Sequence, residues 1–488
     1  MSAPARTGTA DLLRAALGDA DAGDFPISGA DRVGVPVVAA DVTGPPRFGS
    51  FGYGHTVEQA RTGAYGELVE AALLHHHLRA LTPRRASYAE LRRELGERGV
   101  VDPRELVLPA GTVVDDDRPR TWLPATRWRT GEAVRLPAEF CASWAPDVAD
   151  QDPAERLITV ITNGSGAGDT AARAVAHGLL ELLQRDGNGT AFRALDEGTV
   201  LDLDGVTDPV THRVLGQLRG AGITVLAKLA STQFGLADVH VVGVDADPDA
   251  EPLAVTACGE ACHPDREVAL RKALLEYAAA RSRKVFAHGP LDRVRPLAPP
   301  AYWERELASP VPDQEPRALA AMRDWSRRSA AELQDLLAPT VLSVHRTVPF
   351  TDLPTVPPGS LDDPAALLAD LLERLADLDV LVVLARGGGA VSAKVVVPGL
   401  EVETMSYGRI GARGVEKLRA RSNRSGRDLA GLGSPPHPGA APVVLTAQGR
   451  ERLGDDAWLD LDAVAAAVGP LYPLYREPTR HALARSTA

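Results

Sequence analysis

Apolar positions along the chain alternate between short runs of strand character and longer stripes of helical period. GVPVVAADV (34–42), GITVLAK (222–228), VHVVGVD (239–245), LDVLVVLA (378–385) and SAKVVVPG (392–399) are compact apolar runs that predict strands. LITVITN (157–163) predicts a buried strand and VTHRVL (210–215) another. Helical spacing marks DLLRAAL (11–17), the stretch after the glycine-rich turn near 46–56, a segment ending at DGNG (186–189), and 265–284, 316–337 and 362–377. Between them lie a Pro-punctuated stretch over 81–157, a Pro-rich surface connection over 289–316 and a Gly/Ser/Pro-rich loop over 422–442. Strands interleaved with helices predict a mixed α/β (α+β) fold.

One helix carries a polar stripe that its apolar surroundings do not explain. In GAGDTAARAVAHGLLELLQRD (166–186), His177, Glu181 and Gln184 stand at i, i+4 and i+7. At ~100° per residue they share a wedge of ~60°. Leu179, Leu180, Leu182 and Leu183 cover the other faces. A solvated polar face is the simplest account of one such helix. The same arrangement, however, occurs three times. GYGHTVEQARTGAYGELVEAA, GAGDTAARAVAHGLLELLQRD and GEACHPDREVALRKALLEYAAAR each pass from Gly through a turn into a helix. In each, an Ala precedes a Glu by seven residues: Ala60 and Glu67, Ala174 and Glu181, Ala269 and Glu276. Four residues before the Glu stand Gly63, His177 and Lys272; three after it stand Glu70, Gln184 and Ala279. Two helical turns place the small residue on the face of the carboxylate, where something can approach. Three such helices, if they converge, form an acidic pocket suited to a hard cation such as Mg2+ carried by a nucleotide.

Composition narrows the alternatives. The chain has 488 residues, 44% hydrophobic and 24% charged, with a formal net charge of −12. That balance fits a globular protein and argues against a nucleic-acid-binding surface. Five of the 53 basic residues are Lys. This bias reflects a GC-rich genome, so arginine abundance by itself indicates no phosphate clamp. No apolar run approaches the ~20 residues of a membrane span, and a cytoplasmic location is expected. Cys141, Cys258 and Cys262 form no disulfide framework. The C-x3-C spacing in CGEACH (258–263) lacks a second ligand pair for a metal, and the consecutive His75, His76 and His77 fan around a helix. There is no Walker A motif. Gly164, Gly166 and Gly168 have G-x-G-x-G spacing, which does not match the dinucleotide fingerprint of an oxidoreductase.

With the three helices assembled, the chain resembles the YcaO family over residues 33–410. The family's first motif, a GKG-x-T turn followed by S-x3-E-x2-E-R, is matched by Gly52, Gly54 and Thr56 and then Gly63, Glu67, Glu70 and Ala71. The second, N-x3-E-x2-E-R-D, is matched by His177, Glu181, Gln184, Arg185 and Asp186. The third, A-L-x2-A-x2-E-x2-Q-S-R, is matched by Ala269, Leu270, Ala273, Glu276, Ala279, Ala280 and Arg281. RTWLPATRWRTGEAVRLPAEF (120–140) and VVVPGLE (395–401) resemble its connecting and late strand segments. Tyr53, Gly63, Ala71, Gln184 and Ala279 stand where the family has Lys, Ser, Arg, Glu and Gln.

The resemblance implies three glutamate-bearing helices converging on an ATP site. It implies Glu67, Glu70, Glu181 and Glu276 as Mg2+ ligands. Gly63, Glu70, His177, Gln184 and Arg281 would be nucleotide contacts, Arg281 toward phosphate. It also implies activation of a backbone amide in a ribosomally synthesised peptide. Nucleophilic addition and phosphorylation of the carbonyl oxygen would lead to an azoline, thioamide, amidine or hydrolysis product. No Ser/His/Asp or Cys/His set stands out as a protein nucleophile, so no catalytic residue is assigned. The organisation expected is an N-terminal segment (1–32), the core (33–410) and a C-terminal loop and tail (411–488). In that tail Pro470, Pro473 and Pro478 lie short of the terminus, unlike the terminal proline-rich tail usual in azoline-forming relatives. Expected partners are the precursor peptide, a separate leader-recognition or accessory protein and a second copy of the chain, with no nucleic acid and no membrane. The five substitutions leave a second expectation open, a non-catalytic scaffold that binds precursor peptide or another enzyme.

Overall fold

The computed structural model describes residues 8–18, 21–44, 46–247, 249–308, 315–425 and 428–485. They form two compact units of mixed α/β structure. The first takes its residues from 19–68, 191–358 and 468–488, and the second from 1–18, 69–190 and 359–467.

The first unit holds two sheets. Ala22–Pro26, Val37–Val42 and Phe48–Tyr53 form an antiparallel three-stranded sheet in that order. A five-stranded sheet runs Gly259–His263, Ala237–Asp245, Ile223–Ser231, Thr199–Asp202, Arg346–Pro349. Its pairs are antiparallel except the last, which is parallel. The helix Arg266–His288 buries Ala269, Leu270, Ala273, Leu274 and Tyr277 in one cluster with Val239, Val241 and Ala261 of that sheet. VTHRVL is not the expected strand; it lies within the helix Pro209–Gly220. Asp208 caps that helix by accepting the Thr211 N–H at 2.7 Å, Pro209 fits its first turn, and Thr211, Val214 and Leu218 are buried at helical spacing. The expected helix over 316–337 is two, Pro316–Trp325 and Ala330–Leu337, the second started by a Ser329/Glu332 capping box.

The second unit is built on a sheet in the order Arg84–Ala86, Arg120–Arg127, Leu381–Gly387, Ala390–Val396, Ser165–Gly168, with Ala133–Pro137 also on Arg120–Arg127. The helix Ala171–Asn188 packs on the strands Ala390–Val396 and Ser165–Gly168. LITVITN, expected as a buried strand, joins no ladder. Leu157 and Ile158 enter the core as its apolar pattern requires, and side chains bond part of its backbone. The Leu157 N–H donates to Glu139, and the Ile161 and Asn163 carbonyls accept from Lys394. The stretch 422–442, expected as a loop, contributes Ala430–Leu432 and Ala440–Pro442 to a small sheet with Ala457–Asp460; residues 426–427 lie outside the described set.

Candidate functional site

The three helices singled out by the sequence share one construction. Each follows a strand through a short turn: Phe48–Tyr53 into Val57–Ala80, Ser165–Gly168 into Ala171–Asn188, and Gly259–His263 into Arg266–His288. Each start is capped by a side-chain oxygen. Thr56 accepts the Gln59 N–H at 3.2 Å, Thr170 the Arg173 N–H at 3.2 Å and Asp265 the Glu267 N–H at 2.9 Å. A strand glycine then lets the helix backbone come close. A Cβ at Gly52, Gly166 or Gly259 would lie 2.0, 2.2 or 2.1 Å from the carbonyl oxygen of Ala60, Ala174 or Ala273. That approach brings a backbone N–H, on the strand or in the turn just before it, within reach of the helix carboxylate. Phe51 N–H donates to Glu67 Oε2 at 3.3 Å, Gly164 N–H to Glu181 Oε2 at 2.9 Å, and Glu260 N–H to Glu276 Oε2 at 3.3 Å. A neutral donor orients each carboxylate without cancelling its charge.

In the first unit Glu67 and Glu276 share an electrostatic neighbourhood. Tyr53, where the family turn has lysine, donates its hydroxyl to Glu276 Oε2 at 3.5 Å. Burial first, then Glu276 and Glu67, push the Tyr53 phenol well above its ordinary value. Burial depresses the Lys272 ammonium against the opposing pull of Glu276. Gly63 is exposed on the face of Glu67. Arg281 is placed differently from the expectation. It is wholly buried, with Nε and Nη2 on Asp31 at 2.9 and 3.0 Å, Nη2 also on Asp245 at 2.8 Å, and Nη1 on the Ala254 carbonyl at 3.4 Å. These bonds make Arg281 a structural ion-pair centre, so we do not retain it as a phosphate contact.

In the second unit Glu181 and Gln184 are half-buried and His177 exposed along one stripe of Ala171–Asn188. Burial raises the Glu181 carboxyl, opposed by Arg185, the Gly164 N–H and Lys394. Glu70 is half-buried, and its carbonyl accepts the Ser392 hydroxyl at 2.9 Å. Lys394 escaped the sequence reading. Its Nζ donates to the Ile161 and Asn163 carbonyls at 2.7 and 2.8 Å, bracing the segment that presents Gly164 N–H to Glu181. Burial lowers its ammonium to about 8, with Glu181 and then Glu70 the leading opposing charges. A lysine inside the run SAKVVVPG, in a chain with five lysines, was the available signal.

Carboxylate oxygens are hard donors of the kind Mg2+ takes. Among the described residues no three His, Cys, Asp or Glu side chains are gathered as a metal cage. Glu67 and Glu276 in the first unit, and Glu70 and Glu181 in the second, are carboxylates of that chemistry.

The strand–turn–helix repeat within a mixed α/β fold defines the class, and the comparisons define the family. Residues 51–401 match the family model described as YcaO cyclodehydratase, ATP- and Mg2+-binding. The chain belongs to the YcaO family and is an ATP- and Mg2+-dependent enzyme of this peptide-modifying class. An uncharacterized protein of Methanothermobacter thermautotrophicus is 26% identical over 395 residues, covering 78% of this chain and 90% of its own. The fold is shared with the YcaO of Methanopyrus kandleri solved with AMPPCP and Mg2+. That structure is 22% identical, with a TM-score of 0.54, over 80% of this chain and 88% of that one. It is shared too with a heterocyclase solved with substrate and cofactor, 18% identical, TM-score 0.57, over 81% of this chain and 52% of that one. Among the described residues no helix is long and apolar enough to cross a membrane.

Proposed function

We propose that this chain activates a backbone amide of a ribosomally synthesised precursor peptide, with Glu67, Glu70, Glu181 and Glu276 serving Mg2+ and Gly63, His177 and Gln184 contacting nucleotide. The observation that carries this is the repeated bond from a backbone N–H, on or just before the strand, to Glu67, Glu181 and Glu276. Three surface helices with incidental glutamates would have no reason to repeat it.

An amide carbonyl is a poor electrophile because resonance stabilises it. Bound ATP would supply the phosphoryl group that turns the amide oxygen into a leaving group after a nucleophile has added. The residues of this chain position the phosphates and their metal through fixed carboxylates and need contribute no nucleophile. An azoline, thioamide, amidine or hydrolysis product follows according to whether a substrate side chain, sulfide, an amine or water attacks. The heterocyclase relative in complex with its substrate supports a peptide partner here. A leader-recognition or accessory protein and a second copy of the chain complete the assembly we propose. The core we propose, 33–410, begins before the matched residues because Val37–Val42 pairs along its length with Phe48–Tyr53, the strand that carries Gly52 and Tyr53.

Calorimetric titration with AMPPCP, with and without Mg2+, tests this reading. Magnesium-dependent binding is expected. No binding up to millimolar nucleotide would overturn it in favour of a scaffold that holds peptide through the same fold.

A further inference from the structure

Arg281, the arginine implied by the family motif, lies five residues beyond Glu276 and so points ~140° away from it around the helix. Its buried bonds to Asp31 and Asp245 are the consequence. Arg283 lies seven residues beyond Glu276, two turns along, and returns to the carboxylate's stripe. Its side chain is 40% exposed, and its contact with Glu477 is long, 3.4 Å from Nη2 to Oε1. Such a guanidinium is held in place without being used up.

The surroundings give Arg283 a role. Glu477 raises its affinity for a proton first, and Glu276 and Glu67 add to that pull. Tyr53, neutral where the family turn has a lysine, sits within the influence of Glu276, Glu67 and Arg283. Lys272, one turn before Glu276, is drawn on by Glu276 while burial lowers its ammonium. Glu477 is gripped by three side chains of the same helix: Arg283 at 3.4 Å, Lys284 at 3.6 Å and His288 at 3.2 Å. Burial works against its ionisation, but Arg283, Lys284 and His288 outweigh it and hold the carboxyl far below the usual range.

We infer that Arg283, steadied by Glu477, is the cation that meets the nucleotide's phosphates beside Glu67 and Glu276, in place of Arg281 and of the lysine that Tyr53 replaces. This inference rests on the nucleotide site proposed above. A guanidinium presents planar, paired donors to phosphate oxygens, which an ammonium does not. Glu477 is a positioning residue, since it acts through Arg283.

The test compares binding of Mg2+ with AMPPCP, and separately of adenosine, to the full-length wild type, Arg283→Gln, Arg283→Lys and Glu477→Gln, with thermal melting as the check on folding. Arg283→Gln should weaken AMPPCP binding roughly tenfold or more, the scale of a lost charge-assisted bond, and leave adenosine binding unchanged. Arg283→Lys should recover part of the loss. Glu477→Gln should weaken AMPPCP binding by less, and add nothing to Arg283→Gln in the double variant. Wild-type affinity in Arg283→Gln, or an equal loss for adenosine, would overturn the role of Arg283. Failure of the wild type to bind AMPPCP would instead remove the nucleotide site itself, and this inference with it.

Discussion

The Tyr53 hydroxyl donates to Glu276 Oε2, the same oxygen that receives the Glu260 N–H. A lysine at position 53 would add a positive charge to this carboxylate; the phenol adds only a dipole. Tyr53→Phe should therefore lower stability by about 1 kcal/mol and leave Glu276 oriented by the strand. The sign with pH follows from the raised phenol. The unfolded chain ionises Tyr53 near its ordinary value of 10.0 while the folded one does not, so this group's stabilisation is complete below that pH and is lost as pH rises above it. Denaturant titrations at about pH 8 and about pH 11 should show a smaller alkaline loss for Tyr53→Phe than for the wild type.

Glu181 has the shortest of the three backbone N–H bonds, and its carboxylate is the group we assign to the metal on Ala171–Asn188. Glu181→Ala should lower ATP hydrolysis by roughly a hundredfold or more with melting little changed, because a half-exposed side chain carries little of the core. Hydrolysis at the wild-type rate would sink the assignment. Gln184→Glu, one turn further on the same stripe, restores the family's second carboxylate. It should lower the Mg2+ concentration needed for half-maximal nucleotide binding, and an unchanged Mg2+ dependence would show that position 184 faces away from the metal.

The repeat was legible because two turns of helix are a fixed length: Ala60 and Glu67, Ala174 and Glu181, Ala269 and Glu276 announce one geometry wherever they recur. What lay behind it was not. That Phe51, Gly164 and Glu260 would each offer an N–H depends on tertiary approach, and the signal for it was glycine on the strand rather than acid on the helix. Arg281 was misplaced for a related reason. A motif gives sequence offset, whereas the ~140° that five residues turn through carries the guanidinium to buried Asp31 and Asp245. LITVITN and VTHRVL failed as strands because short apolar runs do not distinguish a ladder from buried coil or from a helix with Pro at its start. In 422–442, glycine and proline suggested a loop, yet Gly431 allows a close approach: a Cβ there would fall 2.2 Å from the Trp458 ring on the neighbouring strand.

The strand glycines and Gly63 should separate by direct substitution. A Cβ at Gly166 would fall 2.2 Å from the Ala174 carbonyl oxygen, a backbone atom that cannot turn aside. Gly166→Ala should cost about 3 kcal/mol or more, as overpacking against rigid backbone does, and weaken nucleotide binding by moving Glu181. Gly63 sits mid-helix, and its Cβ would meet the Gly52 Cα at 3.4 Å, an ordinary contact. Gly63→Ala should thus be neutral or stabilising by about 0.5–1 kcal/mol through helix propensity. Equal melting losses in the two variants would contradict the strand-to-helix contact as the source of the difference.

Lys394 gives the second unit its own pH signature. Its ammonium is brought down from the ordinary 10.5 to about 8, first by burial, against the attraction of Glu181 and Glu70. Between those two values the unfolded chain holds a proton that the folded chain has released. The contribution of this group to stability is therefore present above pH 10.5 and lost as pH falls through about 8. Lys394→Met removes that slope and also strips the Ile161 and Asn163 carbonyls of their donor. Measuring both proteins at each pH cancels the alkaline loss from Tyr53, which they share. The stability of the wild type relative to Lys394→Met should rise by about 3 kcal/mol across the window, at ~1.4 kcal/mol per pKa unit. A difference that stays flat with pH would mean that Lys394 keeps its proton throughout, held by Glu181 and Glu70 more firmly than burial can release it.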